Sequence, residues 1–212
     1  MAASRLSIYN NALTRFLGER KLSGLTEARE PRYLLDDVWD SDGVKTCLQE
    51  AQWNFAIRTT QMDYDTGIAP DFGYRRAFAK PSDYVRLAGF CSDEFFKQPI
   101  NHYQDNSGYW FCDYETIYVR YVSSDTDYGL DYSKWPPNFA RFVEAWFALQ
   151  IASRIATDRA RAMTEADVEK LLKKAKATDS QEEPVGMKPL GSWSRARLTS
   201  TRRDIGRRGS LY

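Results

Sequence analysis

Residues 108–122 read GYWFCDYETIYVRYV. Ile117, Val119 and Tyr121 alternate with Tyr118, Arg120 and Val122, a period of two that belongs to a strand and not to a helix. Just upstream, QDNSG (104–108) has the composition of a turn, because Asp, Asn, Ser and Gly each favour tight backbone geometry. Before it, YRRAFAKPSDYVRLAGF (74–90) alternates in the same strand-like way. From about Thr59 to Val122 the chain is rich in Tyr, Phe, Val and Thr, punctuated by Pro and Gly. The expectation is a small antiparallel β insertion of three to five strands.

The flanks carry a helical period. In SRLSIYNNALTRFLG (4–18), Leu6, Tyr9, Leu13, Phe16 and Leu17 fall on one face, and Gly18 or Gly24 can end the helix. In residues 27–58, Leu34, Leu35, Val38 and Trp39 make one stripe; Val44, Leu48, Ala51, Trp53 and Phe55 continue it. Asp40-Ser41-Asp42-Gly43 is placed to kink or divide it. Helix returns after Pro136-Pro137, residues suited to a helix start. Phe139, Phe142, Val143, Trp146, Leu149, Ile151 and Ile155 form a face wide enough for burial on more than one side. Thr164 with Asp167 resembles a capping box for one more helix, and periodicity fails after Thr178.

The fold class expected is mainly α with a β insertion: an antiparallel helical bundle carrying a small antiparallel β module, plus an extended C-terminal tail. Its parts would be residues 1–58 and 136–178 for the bundle, 59–135 for the β-rich insertion and 179–212 for an arginine-rich arm. Trp39, Trp53, Phe55, Phe139, Phe142, Trp146 and Leu149 are the candidates for bundle or subunit packing.

Charge is uneven. The whole chain of 212 residues carries +1, yet Lys188–Tyr212 holds seven cations against Asp204 alone, for +6, so residues 1–187 carry −5. Such an arm is a solvated end, a phosphate-neutralising arm whose affinity falls with salt, or a protein-docking segment. For docking, arginines make bidentate carboxylate contacts and Trp193, Leu198, Ile205, Leu211 and Tyr212 supply apolar anchors.

The residues offer little for catalysis. His102, the one histidine, sits in a polar loop sequence; Cys47, Cys91 and Cys112 are an odd number with no C-x-x-C and read as reduced thiols. There is no P-loop, dinucleotide, hydrolase-elbow or zincin motif. DTDYGLDYSKWP (125–136) has Gly129 one place early for a calcium loop and Pro136 where a glutamate belongs. No catalytic residue, metal or cofactor is therefore expected. Neither an apolar leader nor an apolar run of about 20 residues is present, so the chain is expected to be made and used without a membrane.

Three stretches in order, 32–58, 74–90 and 135–156, resemble the head–tail adaptor (connector) proteins of tailed bacteriophages, the tail tubular protein A group of short-tailed phages in particular. The resemblance rests on Trp53-Asn54-Phe55-Ala56 closing a helix, on Phe78-Ala79-Lys80-Pro81-Ser82-Asp83-Tyr84, and on the Pro-Pro start of a helix lined by Ala145, Ala148, Ala152 and Ala156. It implies a structural protein of the virion, synthesised in the host cytoplasm and not an enzyme. It implies a ring, usually twelve-fold, beneath the portal protein, with a tail or nozzle protein as the second partner. Genomic DNA would pass through the channel without sequence-specific binding. In similar adaptors the C-terminal segment reaches the portal, which makes Trp193, Arg195, Arg197, Arg202, Arg203, Arg207, Arg208 and Tyr212 the candidate docking residues. The alternative is a nucleic-acid-binding accessory protein that uses the same arm.

Overall fold

The computed structural model describes residues 3–70, 73–155 and 158–182. Helix α1 (Arg5–Asn11) begins at a reciprocal cap: the Ser4 hydroxyl accepts from the Ser7 amide at 3.2 Å and the Ser7 hydroxyl from the Ser4 amide at 2.8 Å. It runs into a π-helix, Ala12–Leu17, closed by Gly18 at φ 69°, a conformation glycine adopts without a Cβ clash. Helices α2 (Glu30–Asp40) and α3 (Gly43–Gln49) are separate elements, parted at Asp42 with φ 62°. Gly43 allows the tight approach there: a Cβ would lie 2.6 Å from the Val38 carbonyl oxygen and 3.1 Å from the Trp146 ring. The stripe does not continue as helix into Trp53 and Phe55. Helix α3 stops at Gln49, and Asn54–Ala56 is a single 3₁₀ turn.

Among the described residues six strands follow: β1 (Ile57–Asp63), β2 (Arg76–Ala79), β3 (Tyr84–Cys91), β4 (Gln104–Asn106), β5 (Tyr109–Cys112) and β6 (Thr116–Ser123). They form two antiparallel sheets, ordered β1-β6-β3 and β2-β5-β4. Part of the expected turn at 104–108 is thus strand β4, and the reversal narrows to Ser107-Gly108. Helices α4 (Pro137–Ile155) and α5 (Asp158–Glu182) complete the described chain.

This corrects the expected class. The protein is mixed α/β, with helices and two three-stranded sheets, and not an antiparallel bundle with a small β module. The reason lies in β6. Ile117, Val119 and Tyr121 face a β core with Phe78, Phe90, Ile100 and Trp110, while Val122, on the other face, joins Ala56, Trp53 and Phe139 in the helical core. One strand therefore serves two cores. Residues 1–182 form one unit.

Helix α4 is buried around much of its circumference, through Phe139, Phe142, Val143, Phe147, Ala148, Ile151 and Ala152. Helix α5 packs by a narrower stripe, Val168, Leu171, Leu172 and Ala175. Thr164 is no cap: it lies inside α5 and is buried. The helix also outlasts Thr178, reaching Glu182. Tertiary bonds fasten this last stretch: Asp179 accepts from the Asn54 amide and side chain at 3.0 and 2.9 Å, and Asn138 Nδ2 donates to Thr178 Oγ1 at 2.9 Å.

Candidate functional site

The packing residues named from sequence divide in two. Trp53, Phe139 and Phe142 are buried and mutually packed, with the Trp53 and Phe139 ring centroids 4.8 Å apart. Trp39, Phe55, Trp146 and Leu149 are only partly buried; Phe147, not Trp146, is the ring α4 buries at that level. The arm residues Trp193, Arg195, Arg197, Arg202, Arg203, Arg207, Arg208 and Tyr212 lie outside the described residues.

The stretch Phe78–Tyr84 joins the two sheets. Phe78 ends inside the β core. Lys80 pairs with Asp105 at 2.5 Å and lies over the Tyr84 and Trp110 rings; Trp110 Nε1 donates to the same carboxylate at 3.0 Å. Asp83 is the hub. Its carboxylate accepts from Arg58 Nη1 at 3.0 Å, from the Tyr121 hydroxyl at 3.1 Å and from the Ser123 hydroxyl. Arg58 also reaches Asp125 at 3.2 Å. Burial pushes the Asp83 carboxyl up, but the Ser123, Arg58 and Tyr121 bonds outweigh it, and the net shift is downward. Burial and the nearby Asp83 charge push the Tyr121 phenol up to about 12.

Two further ionic clusters tie the N-terminus down. Asp36, on α2, accepts from Arg5 at 2.7 Å, Arg32 at 2.6 Å and the Tyr9 hydroxyl at 2.9 Å. Glu144, buried on α4, accepts from Asn11 Nδ2 at 2.6 Å and Arg15 at 3.2 Å. Burial raises its pKa against the Asn11 bond and the Arg15 and Arg141 charges.

Among the described residues, no three His, Cys, Asp or Glu side chains group to hold a metal. The three cysteines are free and buried, and burial is the first cause raising each thiol. His102 is exposed. No described helix is long and apolar enough to cross a membrane.

What the surface offers is contact chemistry. The loop after β3, Ser92–Gln98, is drawn tight by Asp93, whose carboxylate accepts from the Lys97 amide at 3.0 Å and the Gln98 amide at 2.7 Å. Phe96 sits at φ 54° with the Arg120 guanidinium 4.5 Å from its ring centre. Phe95 at the tip is 69% exposed, and Lys97 Nζ lies 5.6 Å from its ring centre. The sequence signal for this loop is two adjacent phenylalanines between charges, DEFFK at 93–97. Elsewhere Pro136, Asn138, Asp179 and Glu182 edge a shallow notch over Trp53, Phe139 and Ala175, all three of which are buried.

No family model matches the chain, and no curated protein matches it.

Proposed function

We propose that the chain is a structural head-to-tail adaptor of a tailed-bacteriophage virion, forming a ring below the portal that extends the DNA channel and offers a platform to the tail. The observation that carries this is the order of the three resembling stretches, 32–58, 74–90 and 135–156. The middle stretch supports it physically. Lys80 and Asp83 fasten the two ends of the stretch that links the sheets, Lys80 to Asp105 on β4 and Asp83 to Arg58 on β1, which suits a subunit whose task is to keep its shape under load. Twelve copies, the portal and a tail or nozzle protein are the partners the reading entails, with the arginine-rich arm as the portal-docking segment. The −5 carried by residues 1–187 is compatible with DNA sliding past, since acids repel phosphates.

The test is the light-scattering mass of the protein with isolated portal rings of the same virion, across a salt series. Stoichiometric joining of the ring, abolished by deleting 188–212, is the expected result. No association with the portal, accompanied by DNA binding whose logarithm falls with log salt, would replace the adaptor with the nucleic-acid accessory.

A further inference from the structure

We infer that two copies of this chain pair edge to edge through β1, antiparallel, about a two-fold axis at Thr60. The inference is independent of the ring: a two-fold contact closes on two copies, so it describes the free protein.

The first observation is which backbone groups β1 leaves over. Tyr64 donates its amide to the Glu115 carbonyl at 3.3 Å, in the same register that sets Ile57 against Val122 and Asp63 against Thr116. Antiparallel residues alternate between bonded and non-bonded pairs. Arg58, Thr60, Met62 and Tyr64 therefore bond β6, and Ile57, Thr59, Gln61 and Asp63 turn their backbone groups to the outer edge. The Ile57 amide is spent on the Asn54 carbonyl, and the Gln61 carbonyl accepts from the adjacent Thr60 hydroxyl at 3.3 Å. Among the described residues, no backbone bond reaches the outer edge at Thr59, Gln61 or Asp63, and all three residues are exposed.

The second observation is how the other edges are protected. A bare edge templates pairing with another chain, so edges are normally kept short, bulged or covered. Strand β3 shifts register between Tyr84 and Arg86 and again between Leu87 and Gly89. Its outer side is covered at Cys91 by Pro99 and at Phe90 by Ile100, whose amide donates to the Phe90 carbonyl at 2.9 Å. Strand β2 has four residues, and its Ala77 carbonyl takes the Asp65 amide at 2.8 Å; β4 has three residues. Strand β1 has none of these devices. It is seven residues, IRTTQMD, without proline, glycine or lysine, in unbroken register with β6.

The third observation picks the partner. A bare edge is satisfied by another bare edge of like length, and among the described residues β1 is the one that offers it. Bonded pairs form only between outward residues. The register that uses all four sets Ile57 against Asp63 of the second copy and Thr59 against its Gln61, with Thr60 on the axis. Thr59 and Gln61 then exchange both backbone bonds, and each Asp63 amide meets the Ile57 carbonyl opposite. The strand carries a cation near its start, Arg58, and an acid at its end, Asp63. Antiparallel self-pairing brings unlike ends together, whereas parallel pairing would set like charges side by side.

The test is sedimentation velocity of the full chain from about 1 μM to about 1 mM, a span that reaches weak contacts. Wild type should pass from one copy to two and stop there. Gln61→Pro removes an outward N–H that β6 does not use, a position where an edge strand tolerates proline. With the fold intact by circular dichroism, its dimerisation should weaken by about tenfold or more, because symmetry deletes the bond twice. Cysteine variants fix the register. On the axis the two Thr60 residues form a non-bonded pair with Cα atoms about 4.5 Å apart, within the span of a disulfide. Thr60→Cys should cross-link two copies under mild oxidation, and Thr59→Cys, which faces Gln61 of the second copy, should do so far more slowly. A wild type that stays monomeric to about 1 mM overturns the pairing. So does growth past two copies, unchanged dimerisation in Gln61→Pro, or cross-linking of Thr59→Cys as fast as that of Thr60→Cys.

Discussion

Replacing Asp83 by Ala should be among the most damaging single changes to the fold. The carboxylate is 15% exposed and satisfies three donors from two strands: Arg58 on β1, and Tyr121 and Ser123 on β6. Tyr121 is 1% exposed and Ser123 fully buried, so water does not replace the lost acceptor. Each buried hydroxyl left without a partner costs about 1–3 kcal/mol. Arg58 keeps Asp125 at 3.2 Å and remains partly in solvent, so its loss is small. The total is about 3–5 kcal/mol, in line with breaking one side of a buried charge network. At about 2–4 °C per kcal/mol for a chain of this size, the melting temperature should fall by roughly 6–20 °C. Urea unfolding followed by tryptophan fluorescence reads it directly, and the pH dependence gives a second check. The folded pKa of Asp83 lies below its ordinary 3.8, so its ionised form stabilises the fold above that value, and the contribution drains away as pH falls through the folded pKa. Wild type should lose this increment on acidification and the variant should have none to lose. A loss under about 1 kcal/mol at neutral pH, the worth of an ordinary exposed pair, would refute the view that Asp83 fastens the start of β3 to β1 and β6.

Trp53→Ala should cost about 3–5 kcal/mol by opening a cavity, since the ring is 1% exposed and donates Nε1 to the Cys47 carbonyl at 3.2 Å. Trp146→Ala should cost about half as much, because that ring is only partly buried; equal losses in chemical denaturation would contradict the burial pattern. Glu144 has the opposite pH sign to Asp83. Its folded pKa is raised above 4.5, so wild type should lose stability as pH climbs from 4.5 through the folded value, after which the curve levels. Glu144→Gln should flatten that segment of the stability–pH profile, and an unaltered profile would show that Glu144 does not titrate within the fold.

Local patterns in the sequence determined local structure. The period of two at Ile117, Val119 and Tyr121 became β6, with those residues facing the β core. Pro136-Pro137 marked the start of α4, and Asp-Ser-Asp-Gly split α2 from α3 through a positive φ at Asp42. These outcomes depend on backbone sterics and on which side chains share a face, and both are written residue by residue. The balance between helix and sheet was not legible. It turned on β6 contributing to two cores at once, a property of how strands pair and not of any one stretch. The extent of α5 was equally hidden, because Asp179 extends the helix by bonding Asn54, 125 positions away in sequence. Asp83 was visible as part of a resembling stretch, but its role as a hub needed Arg58, Tyr121 and Ser123 brought to it by strand register. Phe95 and Phe96 are adjacent in sequence, but only strand direction placed their loop at the opposite end of the β1-β6-β3 sheet from Trp53. Propensity and periodicity are short-range quantities, whereas shared cores, charge hubs and the separation of two surfaces are created when distant segments meet.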